Sequence, residues 1–166
     1  MNIINTIFFN TLKIFPKRFI KIFSKRYVAG FTLEETLNIC KNLNSEGFAL
    51  TLDILGEHTK SGEEAKNITN QYQNLFESIH KHNLDANISV KPTHIGHDLG
   101  KETFKSNLSI LLDTANNYSN FIRIDMESSK LTDDTLSVYS DLFKENQNLG
   151  IVLQAYLHRT LKDLRN

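Results

Sequence analysis

The sequence is short of several things, and each shortage excludes something. One cysteine, Cys40, stands in 166 residues. That rules out an intramolecular disulfide and a zinc site built from a cysteine cluster, and it fits a reducing cytosol. Cys40 falls inside an apolar helical pattern, where a buried structural thiol is expected rather than a nucleophile. No apolar run approaches the ~18 residues of a membrane-spanning helix. The apolar stretch at the start precedes its charges and lacks a small-residue cleavage site, so it does not read as a signal peptide. No Gly-x-Gly-x-x-Gly follows the first strand-like run, which removes the main support for a dinucleotide-binding doubly wound fold. Nucleophile-elbow, Walker and kinase motifs are missing as well. Neither sign of charge is in excess, with 19 basic and 19 acidic residues, so bulk charge points to no nucleic acid or other polyanion.

The balance hides an asymmetry. Lys13, Lys17, Arg18, Lys21, Lys25 and Arg26 lie in residues 1–26, which hold no acid, and the remainder carries a net −6. The spacing of Phe15, Phe19, Ile22 and Phe23, with Pro16 interrupting, predicts a short helix, a break and a second helix. Residues 1–25 are expected to form a basic amphipathic segment that packs on the body or touches anionic lipid. Residues 26–166 are expected to form the folded domain.

Four apolar runs in that domain each end in a polar residue: FALTLD at Asp53, NISVK at Lys91, FIRID at Asp125 and GIVLQ at Gln154. The ends are 38, 34 and 29 residues apart, room for a loop and a helix each. Thr32 to Glu35 reads as a capping box, with Leu33, Leu37, Cys40 and Leu43 as the apolar stripe behind it and Gly47 as the stop. Ser61 to Glu64 repeats the capping pattern before a helix over about 62–82 with Ile68, Tyr72, Leu75, Phe76 and Ile79 inward. A helix near 101–117 buries Phe104, Leu108, Leu111 and Leu112. Thr132 is expected to cap a helix reaching about 146, with Leu136, Tyr139, Leu142 and Phe143 inward, and a last helix begins at Thr160. Runs such as Ile-Val-Leu predict strands covered on both faces. Strict β–α alternation gives parallel pairing with right-handed crossovers. The expected class is α/β: four βα units, the first half of a (βα)8 barrel of TIM type, preceded by N-terminal helices.

In such a sheet the C-terminal strand ends carry the chemistry. Lys91, before Pro92, suits an anionic group or a solvated strand end. Asp125 is a carboxylate at the edge of an apolar layer, able to orient a base, hold a cation or bind a hydroxyl; Arg123, two residues earlier, shares its side of the strand and offers it a structural ion pair. Gln154 brings an amide that donates and accepts, suited to a heterocycle edge. Asp53 either joins the ring or caps the following turn. His94 and His97 invite a metal but have no third ligand nearby, so no metal is expected. His58, His80, His82 and His158 are expected at the surface.

At these residues the sequence resembles monofunctional proline dehydrogenase. The segments Arg26-Tyr27-Val28-Ala29-Gly30, Thr51-Leu52-Asp53-Ile54-Leu55-Gly56-Glu57, Asn87-Ile88-Ser89-Val90-Lys91-Pro92-Thr93, Arg123-Ile124-Asp125-Met126-Glu127 and Ile151-Val152-Leu153-Gln154-Ala155-Tyr156-Leu157 occur in the family's order. The resemblance implies a flavin-bearing barrel that oxidises L-proline to 1-pyrroline-5-carboxylate in proline catabolism, with electrons passing to FAD and then to quinone. It implies that Lys91 helps hold the substrate carboxylate, that Asp125 is the active-site aspartate, and that Met126 and Gln154 contact the flavin. A quinone-reducing enzyme must visit a membrane, so a cytoplasmic location with peripheral contact at the inner membrane face, through residues 1–26, is expected. The family's Arg-Leu-Val-Lys-Gly-Ala-Tyr stretch and its late Tyr and paired arginines do not occur in this sequence. The chain is therefore expected to be a truncated form that neither holds FAD tightly nor turns over proline alone. The alternative is a non-catalytic half-barrel that pairs with another half or with itself.

Overall fold

The computed structural model describes residues 28–165. The expected amphipathic helices of the basic head lie outside the described residues. Two compact units divide the chain, residues 1–43 and 44–166. Helix α1 (Leu33–Ser45) starts where the sequence places its cap: the Thr32 hydroxyl accepts from the Glu35 N–H at 3.2 Å, and the Glu35 carboxylate accepts from the Phe31 N–H at 2.9 Å. Leu37 and Cys40 are buried, and burial pushes the Cys40 thiol pKa up, as expected of an inert structural cysteine. Leu33, expected inward, is exposed.

The second unit holds strands β1 (Leu50–Leu52), β2 (Ala86–Val90), β3 (Ile122–Ile124) and β4 (Leu149–Ile151), joined by helices α2 (Gly62–Lys81), α3 (Lys101–Asn117) and α4 (Thr132–Phe143). A short helix α5 (Thr160–Arg165) follows β4. The strands form one sheet in the order β1-β2-β3-β4, every pair parallel. This is the partial barrel-type sheet that the β–α rhythm predicts.

The core lies between the sheet and its helices. Ile88, Val90, Ile122 and Ile124 point to it, and Tyr72, Phe76, Phe104, Leu108 and Leu111 meet them from α2 and α3, all fully buried. The opposite sheet face is not the apolar surface expected. It carries Thr51, Asn87, Ser89, Arg123 and Gly150, because every second residue of each strand turns that way. Helix α4 is also rotated from its expected face. Thr132, Thr135 and Val138 are its buried residues, whereas Leu136, Tyr139, Leu142 and Phe143 are half-buried. Thr132 is the first residue of that helix rather than its cap; Leu131 precedes it without a side-chain cap bond, and the Thr132 hydroxyl reaches back to the Ser128 carbonyl.

Asparagines tie the N-terminal strand ends together. Asn120 donates its amide to the Ala86 carbonyl at 3.0 Å and Asn148 donates to the Asn120 carbonyl at 2.9 Å. Asn44 donates to the Asp85 carbonyl and accepts from the Asp85 N–H. These bonds satisfy backbone groups that have not yet entered the ladder. They leave the opposite strand ends free to carry the site.

Candidate active site

Each strand delivers its site residue in the position immediately after the last pairing residue or a few beyond. Continuing the observed register by one residue sets Lys91 beside Asp125 and Asp125 beside Val152, and sets Asp53 one tier lower, level with Ser89 and Arg123. The four strand ends therefore do not form one flat ring. Val152, not Gln154, is level with Lys91 and Asp125, and Gln154 stands above it. The stagger is bridged diagonally. The Lys91 ammonium reaches down to Asp53 Oδ2, and the Ser89 hydroxyl reaches up to donate to Asp125 Oδ1.

Clefts open at both ends of the sheet among the described residues. The larger, about 610 Å³, lies at the asparagine-tied N-terminal ends and has Asp85 as its single titratable lining residue. The smaller, about 410 Å³, lies at the C-terminal ends and is lined by Lys91, Asp125, Met126 and Glu127 with Glu57 and His58 opposite. The smaller cleft is the candidate site, since size without reactive groups does not make one.

Lys91 is largely buried, with 19% of its side chain exposed. Burial opposes its charge, but the hydrogen bond and charge of Asp53, with Asp125 and Glu57 behind, outweigh that and hold the ammonium above the ordinary lysine range. One of its three donors goes to Asp53, leaving two for an incoming anion. Asp53 is itself gripped from behind: Tyr72 of α2 donates its hydroxyl to Asp53 Oδ1 at 2.9 Å. Burial, with the Asp53 charge, pushes the Tyr72 phenol pKa far up, so the hydroxyl keeps its proton.

The loops above the strands are stitched to one another. Glu127, after β3, accepts from both the backbone N–H and the hydroxyl of Thr93, after β2, each at 2.8 Å. The Thr93 carbonyl accepts in turn from the N–H and hydroxyl of Thr59, after β1, at 3.2 and 3.1 Å. Met126 is buried beneath this stitching and lines the cleft. Gln154 is half-buried and makes only a long 3.5 Å bond to the Met126 carbonyl, so its amide is available to a planar polar partner beside Met126.

The structure thus brings Lys91, Asp125 and Met126 into one cleft, while Asp53 acts from the tier below and Gln154 is not among the lining residues, its amide reaching only the Met126 carbonyl. Arg123 does not pair with Asp125 as its spacing suggested; its Nε is buried without a hydrogen-bond partner, and Ser89 holds Asp125 instead. His94 and His97 diverge. His94 is buried beside Tyr72, with ring centroids 6.2 Å apart, while His97 contacts Asp134 at 3.2 Å. No group of residues able to hold a metal ion occurs among the described residues. His58, exposed as expected, is paired with Asp98 at 2.7 Å, and His82, expected at the surface, is half-buried with Nδ1 2.9 Å from the Ser78 carbonyl. Sequence inspection missed Tyr72, Ser89, Thr93 and Glu127. Ser89 had a signal, lying two residues before Lys91 on the same side of the strand. Tyr72 had a fainter one, a hydroxyl in a helical stripe where phenylalanine would have served.

A parallel βα sheet whose charged strand ends meet at one cleft defines the βα-barrel fold class, in which sites lie at the C-terminal face of the sheet. The family model described as proline dehydrogenase matches residues 36–166, and the chain belongs to that family. It is 36% identical over 156 residues to proline dehydrogenase 1 of Bacillus subtilis strain 168, covering 93% of this chain and 52% of that protein. It is 30% identical to a proline dehydrogenase of Deinococcus radiodurans, covering 84% of this chain and 47% of that one. Among solved structures, proline utilization A of Bdellovibrio bacteriovorus, inactivated by N-propargylglycine, superposes with a TM-score of 0.80 at 26% identity, covering 90% of this chain and 19% of that one. The chain spans about half the length of the curated relatives it matches. Among the described residues, no helix is long and apolar enough to cross a membrane.

Proposed function

We propose that residues 26–166 supply the substrate-facing half of a site that oxidises L-proline to 1-pyrroline-5-carboxylate with FAD. The observation that carries this reading is the Lys91 ammonium, held by Asp53 beside Asp125 at the mouth of a cleft walled by Met126. L-Proline presents a carboxylate next to a secondary amine. The free donors of Lys91 bind that carboxylate as a charge-assisted pair. Asp125, steadied at Oδ1 by Ser89, faces the amine, where positive charge develops as the carbon–nitrogen bond becomes double. The nitrogen first gives up its proton to solvent; hydride then leaves the adjacent carbon for the two-electron acceptor, and the fixed Asp125 carboxylate stabilises the positive charge that forms on nitrogen. The stitched loops of Thr59, Thr93 and Glu127 hold the cleft shape and limit water.

The donor set suits a flavin. Met126 offers a buried, polarisable wall, and the weakly engaged Gln154 amide offers both a donor and an acceptor to the edge of a heterocycle. The cofactor supplies the two-electron acceptance, and these residues supply its placement beside the substrate. Electrons would pass from a flavin held there to a membrane quinone, and the basic residues 1–26 would give a weak contact with an anionic membrane surface.

The test is a chimera in which this chain is completed with the remaining half of the Bacillus subtilis relative. Proline-dependent dye reduction with a bound-flavin spectrum is the expected result. Lys91→Ala is expected to raise KM for L-proline at least about tenfold, and Asp125→Asn to lower kcat with a smaller change in KM. A folded, flavin-loaded chimera that ignores L-proline overturns the reading.

A further inference from the structure

Tyr72 lies in the middle of α2 with its ring fully buried. Its neighbours on that face, Leu75, Phe76 and Ile79, carry no polar side-chain atom, and Thr69 turns its hydroxyl back to the Ala65 carbonyl at 2.8 Å. Phenylalanine would fill the same ring volume, so the hydroxyl is what Tyr72 adds. A buried hydroxyl is unfavourable unless it is hydrogen-bonded. Both bonds of this one go to the end of β1: it donates to Asp53 Oδ1 at 2.9 Å and accepts from the Ile54 N–H at 3.4 Å. The other oxygen of the same carboxylate, Oδ2, takes the Lys91 ammonium. A rotation of Asp53 that releases Lys91 therefore also breaks the bond to Tyr72. His94 stands edge-on to the Tyr72 ring and closes that side.

We propose that Tyr72 is a positioning residue, acting through Asp53 to hold the Lys91 ammonium at one place facing the cleft. The proposal rests on the function argued above for the identity of the anion, L-proline. The relay from Tyr72 to Asp53 to Lys91 is independent of it. The carboxylate needs two fixed partners because Asp53 sits a tier below Lys91, where a carboxylate held by one bond turns freely.

The experiment follows Lys91 in the full 166-residue chain by NMR, with unmodified lysines labelled biosynthetically with carbon-13 and nitrogen-15 and the Lys91 Cε signal assigned by Lys91→Arg. In the unaltered chain Lys91 gives one narrow resonance that titrates above ordinary lysines. In Tyr72→Phe it falls toward the ordinary value by about half a pKa unit or more, and the resonance broadens or splits. In Asp53→Asn it falls further, because the hydrogen bond and charge that most oppose burial are removed. A folded Tyr72→Phe protein with an unchanged Lys91 titration and line shape overturns the proposal, since a merely structural tyrosine would leave both in place. If Tyr72→Phe does not fold, Asp53→Asn decides: the ring resonances of Tyr72 must move together with Lys91, and Tyr72 resonances that stay put overturn the relay. Added L-proline separates the two readings. A Lys91 resonance that moves in Tyr72→Phe but ignores L-proline in the chimera completed with the Bacillus subtilis half supports the relay and counts against the proline assignment alone.

Discussion

Glu127 holds Thr93 with both of its carboxylate oxygens, one on the backbone N–H and one on the hydroxyl, each at 2.8 Å. The two residues lie on loops after adjacent strands, and the grip sets the height of one loop against the other. Glu127→Gln keeps the shape but can accept through one oxygen only, and it loses the charge that strengthens both bonds. The expected cost is about 1–2 kcal/mol of stability, read as a lower denaturant midpoint with an unchanged slope. A midpoint equal to that of the unaltered protein would show that the grip adds nothing.

Gly56 belongs to this framework for a steric reason. A Cβ at that position would stand 2.2 Å from His94 Nε2. His94 is buried and cannot step aside without disturbing Tyr72. Gly56→Ala is expected to destabilise the protein by about 1–3 kcal/mol and to shift the His94 ring resonances, both measurable by unfolding and NMR.

His94 and His58 respond to pH in opposite senses. Burial, assisted by the Lys91 charge, lowers the His94 pKa below its ordinary 6.5. The unfolded chain then binds the proton more readily, so the contribution of His94 is full above about pH 6.5 and is lost as pH falls through its depressed folded value. Hydrogen bonding to Asp98 and the Asp98 charge raise the His58 pKa, so its contribution is present below about pH 6.5 and is lost as pH rises through its raised folded value. His58 is exposed and its pair is screened by solvent. Stability is therefore expected to decline from pH 7 toward pH 5, and His94→Gln to flatten that decline. In NMR titrations His58 should shift back toward the ordinary histidine value in Asp98→Asn.

Helix α2 carries Tyr72 and depends on its first turn. Ser61 accepts from the Glu64 N–H at 3.1 Å, and Glu64 reaches back to the Lys60 N–H at 2.7 Å. Ser61→Ala is expected to cost about 1 kcal/mol, seen as a lower thermal midpoint, with Tyr72 kept in place by the core.

Much of this arrangement was legible because it rests on local rules. The capping patterns at Thr32 and Ser61, the stop at Gly47 and the strand ends Lys91 and Asp125 follow from side-chain chemistry within a few residues. So does the buried stripe of α3. The misjudged elements depend on neighbours far along the chain. Helix α4 has apolar residues around much of its circumference, and only its packing against the sheet chose Thr132, Thr135 and Val138 over Leu136 and Phe143. Arg123 and Asp125 share a strand face, yet Ser89 of the adjacent strand holds Asp125 while the Arg123 Nε is buried without a hydrogen-bond partner.

The order of strands and helices, the parallel pairing and the identity of the polar residues at the strand ends were determined by the sequence alone, since hydrophobic periodicity and turn chemistry act over short spans. The tertiary structure decided which of those residues meet. Parallel strands stagger as they pack, so Asp53 falls below Lys91, Val152 takes the level expected of Gln154, and a helix interior supplies Tyr72 to the same carboxylate. That outcome depends on inter-strand register and the approach of a helix, and neither is written in any single segment.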